Sequence, residues 1–167
     1  MIRKASLVDI DKIKRLEMNY YSGSHISERI LVKWIKNGNF FVIEEDSRIV
    51  GSIYFEFLDE IKDLPWEHDP IGVESGKYIY ISEIAVDSKE RIPILFEKVS
   101  EAANGCEGII WLTGERSNHD KIEYEFVKNN GFKRYKHITY WECAPDRFVN
   151  DHTLYTKKSE AIPALEL

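Results

Sequence analysis

Residues 78–99 read YIYISEIAVDSKERIPILFEKV and join an apolar run to a helical pattern. The first half, from Tyr78 to Val86, is rich in β-branched and aromatic residues, with apolar side chains on both faces, which is typical of a strand buried between two layers. After a polar Asp-Ser-Lys turn, apolar residues recur at helical spacing from Ile94 onward. The stretch therefore predicts a buried strand, a short loop and a helix. Such a joint often binds phosphate groups, because the first amides of a helix lack partners.

The rest of the chain supplies elements on both sides of this stretch. A short N-terminal strand is followed by two helices, and residues 40–57 have the pattern of a β-hairpin. Residues 107–113 predict another central strand, and a further helix and two final strands follow. The first helix carries an apolar stripe made of Leu7, Ile10, Ile13 and Leu16. The order β-α-α-β-β-β-α-β-α-β-β predicts an α/β fold with a mixed sheet.

Composition places the chain among globular proteins. Its 167 residues, 43% apolar and 31% charged, predict one domain over residues 1–158 and a loose tail over residues 159–167. The net charge of −6 argues against a nucleic-acid partner and favours a cationic one. The oligomeric state stays open, with a homodimer among the alternatives.

The sequence also predicts a cytoplasmic protein. The N-terminus has no apolar signal region, and no apolar run is long enough to span a bilayer, so no membrane partner is expected. Two cysteines, Cys106 and Cys143, lack the spacing of metal ligands, which indicates a reducing compartment and no metal site, while one disulfide between them stays an open alternative.

Four segments of the chain resemble the GNAT superfamily of N-acetyltransferases. The stretch IVGSIYF (49–55) is similar to the family's third strand. The stretch ISEIAVDSKER (81–91) is similar to its fourth strand and the start of the cofactor loop. The stretch NHDKIEYEFVKNNGFKRY (118–135) is similar to the family's last helix, and LYTKK (154–158) is similar to its last strand. The resemblance covers residues 1–158 in element order, and it implies a GNAT-like mixed α/β sheet in a single domain.

The resemblance implies a binding site for acetyl-CoA, or for another acyl-CoA, where the fourth and fifth strands splay apart. Backbone groups at the end of the fourth strand would pair with the pantetheine arm, and an arginine with the first helix amides would hold the pyrophosphate. A cap residue of the last helix would contact the cofactor arm. The residues at these positions are Ile84, Ala85, Val86, Arg91, Ile92 and Asn118.

Glu83 is the candidate for the catalytic base that the resemblance implies, and Tyr124 is the candidate replacement for the family's acid. Glu83 would take a proton from the ammonium of the acceptor, directly or through water, and the free amine would attack the thioester. Tyr124 would protonate the leaving thiolate. A non-catalytic interpretation stays open for both residues. Glu83 could be a solvated or ion-paired carboxylate, and Tyr124 could be partly buried packing.

The chain departs from the family pattern at two positions. Ile92-Pro93-Ile94 follows Arg91 where the family has glycines, and proline has no amide proton to donate. The family usually has a tyrosine four residues before a Gly-Phe pair, which is Gly131-Phe132 in this chain. Val127 occupies that position here, and Tyr124 lies one turn earlier. The first departure predicts weakened binding of the pyrophosphate.

Two functions therefore stay open. The first is transfer of an acetyl group from acetyl-CoA to a primary amine of a small molecule or peptide. The second is a non-catalytic or regulatory domain that binds an acyl thioester or a partner protein.

An acidic loop over residues 56–74 lies, in the family, beside the acceptor. It could attract a cationic amine, although a solvated acidic loop is the simpler interpretation. Its carboxylates are Glu56, Asp59, Glu60, Asp63, Glu67, Asp69 and Glu74.

Overall fold

The computed structural model describes residues 1–23, 25–60, 74–113, 118–141 and 149–158, with the backbone alone at 112, 118–120, 134–141 and 149–158. The expected tail (159–167) and most of the acidic loop (61–73) lie outside the described residues.

The helices and strands occur in the predicted order, with a 3₁₀ turn at Leu7–Asp9 before the first helix. They are β1 (Ile2–Lys4), α1 (Ile10–Tyr20), α2 (Glu28–Asn37), β2 (Phe40–Glu45), β3 (Arg48–Leu58), β4 (Tyr78–Val86), α3 (Arg91–Ala102), β5 (Gly108–Thr113), α4 (Asn118–Asn129), β6 (Lys133–Trp141) and β7 (Val149–Lys158).

All of these strands form one seven-stranded sheet in the order β1-β2-β3-β4-β5-β7-β6. β4 and β5 pair in parallel, while every other neighbouring pair is antiparallel. The mixed α/β sheet that the sequence predicts is therefore confirmed, and so is its central parallel pair. Asp46 and Ser47 make the tight turn between β2 and β3 with φ angles of 48° and 63°.

Helices cover both faces of the sheet, which explains why β4 is apolar on both sides. One core lies between the sheet and α3 with α4, and it includes Ile53, Ile79, Ile84, Leu95, Trp111 and Val127. The other core lies between the sheet and α1 with α2, and it includes Ile13, Leu31, Trp34, Val42, Tyr54 and Ala85. We call these the α3 core and the α1 core.

The start of α1 differs from the expected apolar stripe. Leu7 lies in the 3₁₀ turn and is 53% exposed, so it is not part of the stripe. Ser6 and Asp9 form a capping box that closes this turn, and the regular helix begins only at Ile10. The buried face of α1 therefore runs from Ile10 through Ile13 and Leu16, and then includes a carboxylate, Glu17.

β4 contains one extra residue that sets the direction of its last side chains. Phe55 pairs with Ile81 and Tyr54 pairs with Glu83, so Ser82 is a bulge residue with no partner in the β3–β4 register. Ile81 and Ile84 both face the α3 core, and Ala85 faces the α1 core. Because successive side chains alternate, Glu83 faces α1, although strict alternation from Ile81 would turn it toward the α3 core.

Beyond this bulge, β4 separates from β5. The paired register of the two strands runs from Tyr78↔Gly108 to Ile81↔Trp111, while β4 continues to Val86. The two strands therefore diverge at their carboxyl ends, as the sequence predicts, and they leave a cleft beside residues 82–86.

Candidate active site

The backbone of β4 presents hydrogen-bonding groups to the cleft. The amide of Asp87 donates to the carbonyl of Val50 at 3.0 Å, which fixes which residues of β4 are hydrogen-bonded to β3. In an antiparallel pair these residues alternate, so the amide and carbonyl of Ala85 point toward Ser52 of β3. Those of Ile84 and Val86 point the other way, toward the cleft. The register thus divides the three predicted cofactor-binding residues of this strand into two that face the cleft and one that faces β3.

Glu83 lies at the inner end of the cleft with a half-buried side chain. The hydroxyl of Tyr21, just beyond α1, is hydrogen-bonded to both the Glu83 carboxyl group and the carbonyl oxygen of Ile84. A phenol has one proton to donate, so both bonds form together when Glu83 is protonated and donates to the phenol oxygen. This arrangement agrees with the pKa of Glu83, which is raised well above its usual value, mainly because the carboxylate loses solvation.

Glu17 is a second buried carboxylate beside the cleft. Its side chain is fully buried, and one oxygen accepts a hydrogen bond from the Ile26 amide at 2.9 Å. The other oxygen, Oε1, has no hydrogen-bond partner among the described residues. Burial raises the pKa of Glu17 to about 7, although the Ile26 bond acts in the opposite direction.

Glu123 of α4 is the third carboxylate. It is 6% exposed and accepts hydrogen bonds from the Tyr20 hydroxyl at 3.1 Å and from Nε1 of Trp111 at 3.0 Å. The charges of Glu17 and Glu123 add to desolvation in raising the pKa of Glu83. We call Glu17, Glu83 and Glu123 the carboxylate cluster. Since like charges disfavour one another when buried, the cluster favours a bound proton or a bound cation.

The sequence contained a signal for part of this cluster that the interpretation missed. Glu17 follows Ile13 by four positions and Ile10 by seven, which places it on the apolar face of α1. A carboxylate at such a position is rarely buried without a functional or structural reason. Glu123 and Tyr21 carry no comparable signal, because their roles depend on how α4 and the end of α1 meet across the cleft.

Arg91 lies at the outer end of the cleft, where it is held by carboxylates. Two of its guanidinium nitrogens contact the two Glu45 carboxylate oxygens, each at 2.7 Å, and a third nitrogen lies 3.5 Å from Asp87. Its amide donates to the Ser88 carbonyl at 3.1 Å. These bonds occupy the groups that the resemblance assigns to the pyrophosphate.

Ile92 and Asn118 are placed differently from each other. The side chain of Ile92 is buried in the α3 core, and its amide donates to the Lys89 carbonyl at 3.2 Å. Asn118 is the first residue of α4, and its side chain lies outside the described part of the chain, so its role as a cap and as a contact of the cofactor arm stays a prediction.

Tyr124 of α4 is partly buried against the α3 core, and Nζ of Lys128 lies 6.0 Å from its ring centroid. On the same helix Val127, at the position of the usual family tyrosine, is fully buried. The phenol that is hydrogen-bonded to Glu83 is therefore that of Tyr21, which the sequence interpretation did not include.

The acidic loop is only partly described. Glu56 belongs to β3 and not to the loop, since it is 2% exposed and accepts a hydrogen bond from the Tyr54 hydroxyl at 2.8 Å. Asp59, Glu60 and Glu74 are exposed, and the three remaining carboxylates lie outside the described residues. Within the described ranges, no group of three or more His, Cys, Asp or Glu could hold a metal ion. No described helix is long and apolar enough to cross a membrane.

Solved structures with the same architecture belong to one fold. The loading GNATL domain of CurA from Lyngbya majuscula has a TM-score of 0.75 at 14% identity, over 96% of this chain and 98% of that one. A GphF GNAT-like decarboxylase in complex with isobutyryl-CoA has a TM-score of 0.70 at 18% identity, over 96% and 100%. Naa20 from Chaetomium thermophilum, in complex with a bisubstrate analogue, has a TM-score of 0.68 at 18% identity, over 96% and 87%.

These similarities define an α/β domain with a mixed sheet and a central cleft. More specifically, the chain has the GNAT fold, which confirms the fold that the resemblance implied. No protein-family model and no curated protein gives a significant match to the sequence.

Proposed function

We propose that the protein transfers an acyl group, with acetyl as the first choice, from an acyl-CoA to a primary amine. The observation that carries this proposal is the carboxylate cluster at the point where β4 leaves β5. A thioester that lies along the cleft-facing groups of Ile84 and Val86 has its acyl end near Glu83. The GNAT-fold structures solved with isobutyryl-CoA and with a bisubstrate analogue support a thioester donor.

The carboxylate cluster suits an acceptor that arrives as an ammonium ion. A cation between Glu17 and Glu83 offsets the repulsion of the two carboxylates and lowers the pKa of both. The ammonium then gives its proton to Glu83, directly or through water. The amine nitrogen attacks the thioester carbonyl and forms the amide bond, the carbon–sulfur bond breaks, and the thiolate takes up a proton.

Two phenols are candidates for the acid that protonates the thiolate. Tyr124 lies one turn before the position of the family's tyrosine, and Tyr21 is the phenol that is hydrogen-bonded to Glu83. Single Tyr→Phe variants at both positions would separate them. The Tyr→Phe variant that removes the true acid should lower turnover more with a poor leaving thiol than with an activated one, since only the poor leaving group needs the proton.

The alternative is a non-catalytic domain that binds an acyl thioester or a partner protein. The bond from Tyr21 to the Ile84 carbonyl favours the partner-binding form of this alternative, because the carbonyl must be released before it can accept a bond from a pantetheine amide.

An acyl-transfer assay distinguishes the two functions. The protein is incubated with labelled acetyl-CoA and a panel of diamines, amino acids and peptide N-termini, and both free thiol and labelled amide are measured. We expect amine-dependent thiol release that matches amide formation and that Glu83→Gln lowers by on the order of 10²-fold or more. Binding of acetyl-CoA without amide formation from any amine of the panel would favour the alternative.

A further inference from the structure

The outer end of the cleft, where β4 turns into α3, is acidic and hydrogen-bonded within the protein. Glu45, Asp87 and Glu90 surround Arg91, and the contact of its guanidinium with Glu45 is bidentate at 2.7 Å. The other cation of this loop, Lys89, is 63% exposed and lies 3.7 Å from Glu125. The described carboxylates here outnumber the cations that could meet an incoming anion.

The first amides of α3 are also occupied. Those of Arg91 and Ile92 donate to the carbonyls of Ser88 and Lys89, which close the turn before the helix. The next residue, Pro93, has no amide proton. A helix start that has used its donors in this way lacks the amides that usually hold a phosphate group.

The inner part of the cleft has the opposite character. The polar backbone groups of Ile84 and Val86 point toward it, beyond the last β4–β5 pair at Ile81↔Trp111. An amide-containing arm such as pantetheine can pair with these groups as an extra strand would, once the Tyr21 hydroxyl has left the Ile84 carbonyl. The contacts that the cleft offers to a thioester donor therefore lie along its arm.

We infer that the protein recognises its donor as an acyl-pantetheine thioester and gains little affinity from the nucleotide diphosphate of CoA. This inference rests on the proposed function and concerns only the donor. To contact a diphosphate, Arg91 would have to leave Glu45, and the freed carboxylate would then repel the same anion. Acyl-CoA and an acyl-4′-phosphopantetheine group carried on a protein share the chemistry that the cleft recognises.

A truncation series of donors tests this inference. Acetyl-CoA, acetyl-4′-phosphopantetheine and acetyl-pantetheine are compared by kcat/KM, and the corresponding free thiols are compared by calorimetric binding. We expect the kcat/KM values of the three donors to lie within about fivefold of one another. A diphosphate held by an arginine and helix amides would instead raise the value for acetyl-CoA above that for acetyl-pantetheine by roughly a hundredfold or more. A separation of that size overturns the inference and leaves the proposed function intact.

A variant at Glu45 gives the inference a positive test. Glu45→Gln removes the charge and one of the two acceptors that hold Arg91, without touching the residues assigned to the chemistry, so the preference for CoA over pantetheine should rise by roughly tenfold. Arg91→Ala alone should leave the preference for CoA over pantetheine at its wild-type value. The double variant, with Glu45→Gln and Arg91→Ala together, should lose the tenfold rise. A wild-type preference that collapses in Arg91→Ala would contradict the inference. If none of the three thiols binds to the folded protein and no donor is turned over, the proposed function fails, and the inference fails with it.

Discussion

Glu83 illustrates how neighbours decide what a single residue can do. Its sequence context allowed a base, a solvated carboxylate or an ion pair, and among the described residues its partners are a phenol and two further carboxylates. Partial burial and like charges both disfavour its ionised form. A carboxyl group of this kind is a stronger base than an exposed one once it has lost its proton, as a base for an ammonium must be.

The first prediction replaces Glu83 by Gln. The change keeps the size of the side chain and removes its basicity, so turnover near neutral pH should fall by on the order of 10²-fold or more. Affinity for the thioester should change little, because the arm pairs with the strand backbone. Steady-state kinetics and calorimetric CoA binding measure the two quantities. Unaltered turnover would remove Glu83 from the mechanism.

The second prediction concerns Glu17 and pH. Its pKa is about 7 in the folded protein against 4.5 for the free side chain, so the folded state holds a proton between these values that the unfolded state releases. The free energy of unfolding should therefore fall as pH rises from 4.5 to 7. The loss from this residue is on the order of 3 kcal/mol at most.

Glu17→Gln should remove most of that loss, because a neutral amide replaces the carboxyl group. Urea midpoints at pH 5.5 and pH 8 measure the effect, with Glu97→Gln on the exposed face of α3 as the matched control. An equal pH dependence in the wild type and in Glu17→Gln would show that Glu17 is ionised throughout.

At the scale of elements, β4 shows where sequence patterns stop being informative. The apolar run, the loop and the helix were readable from composition and spacing, although the helix begins at Arg91 and contains Pro93 in its first turn. The bulge at Ser82 was not, because nothing in β4 alone reveals how it registers with β3. The face of the sheet on which Glu83 lies could therefore be assigned only from the structure.

The third prediction deletes Ser82. The deletion places Ile81 next to Glu83, and the pairs Phe55↔Ile81 and Tyr54↔Glu83 then follow in a regular ladder. The fold should survive, with every later side chain on the same face. Since bulges bend the strand that carries them, the cleft should narrow and CoA affinity should fall by roughly tenfold or more. Circular dichroism and calorimetry measure the two outcomes. Unchanged CoA affinity in a folded variant would separate the bulge from donor binding.

On the scale of the whole molecule, the fold was predictable and the site was only partly so. Element order and two-sided burial of β4 follow from local pattern, and these features are characteristic of the GNAT fold. The carboxylate cluster assembles residues from α1, β4 and α4 that are 66 and 40 positions apart in the sequence, at 17, 83 and 123. Such contacts depend on how the helices dock on the sheet, and this information is not present in any local stretch.

The last prediction uses the charge of the whole chain. A net charge of −6, with the acidic loop expected beside the acceptor, should attract a cationic amine over several ångströms of solvent. Exposed charges are screened beyond about 10 Å at 0.1 M salt. The KM of a diamine should therefore rise with ionic strength more steeply than that of a matched monoamine, because the diamine carries two positive charges and the monoamine carries one.

Neutralising Asp59, Glu60 and Asp63 should raise the KM of the diamine at low salt and leave little further dependence on salt. The control is neutralisation of Glu97 and Glu101, two exposed carboxylates of α3. An identical effect in the control would assign the attraction to net charge alone. A KM for the diamine that does not change at low salt would assign the loop carboxylates to simple solvation, and acceptor recognition would then depend on the buried carboxylate cluster.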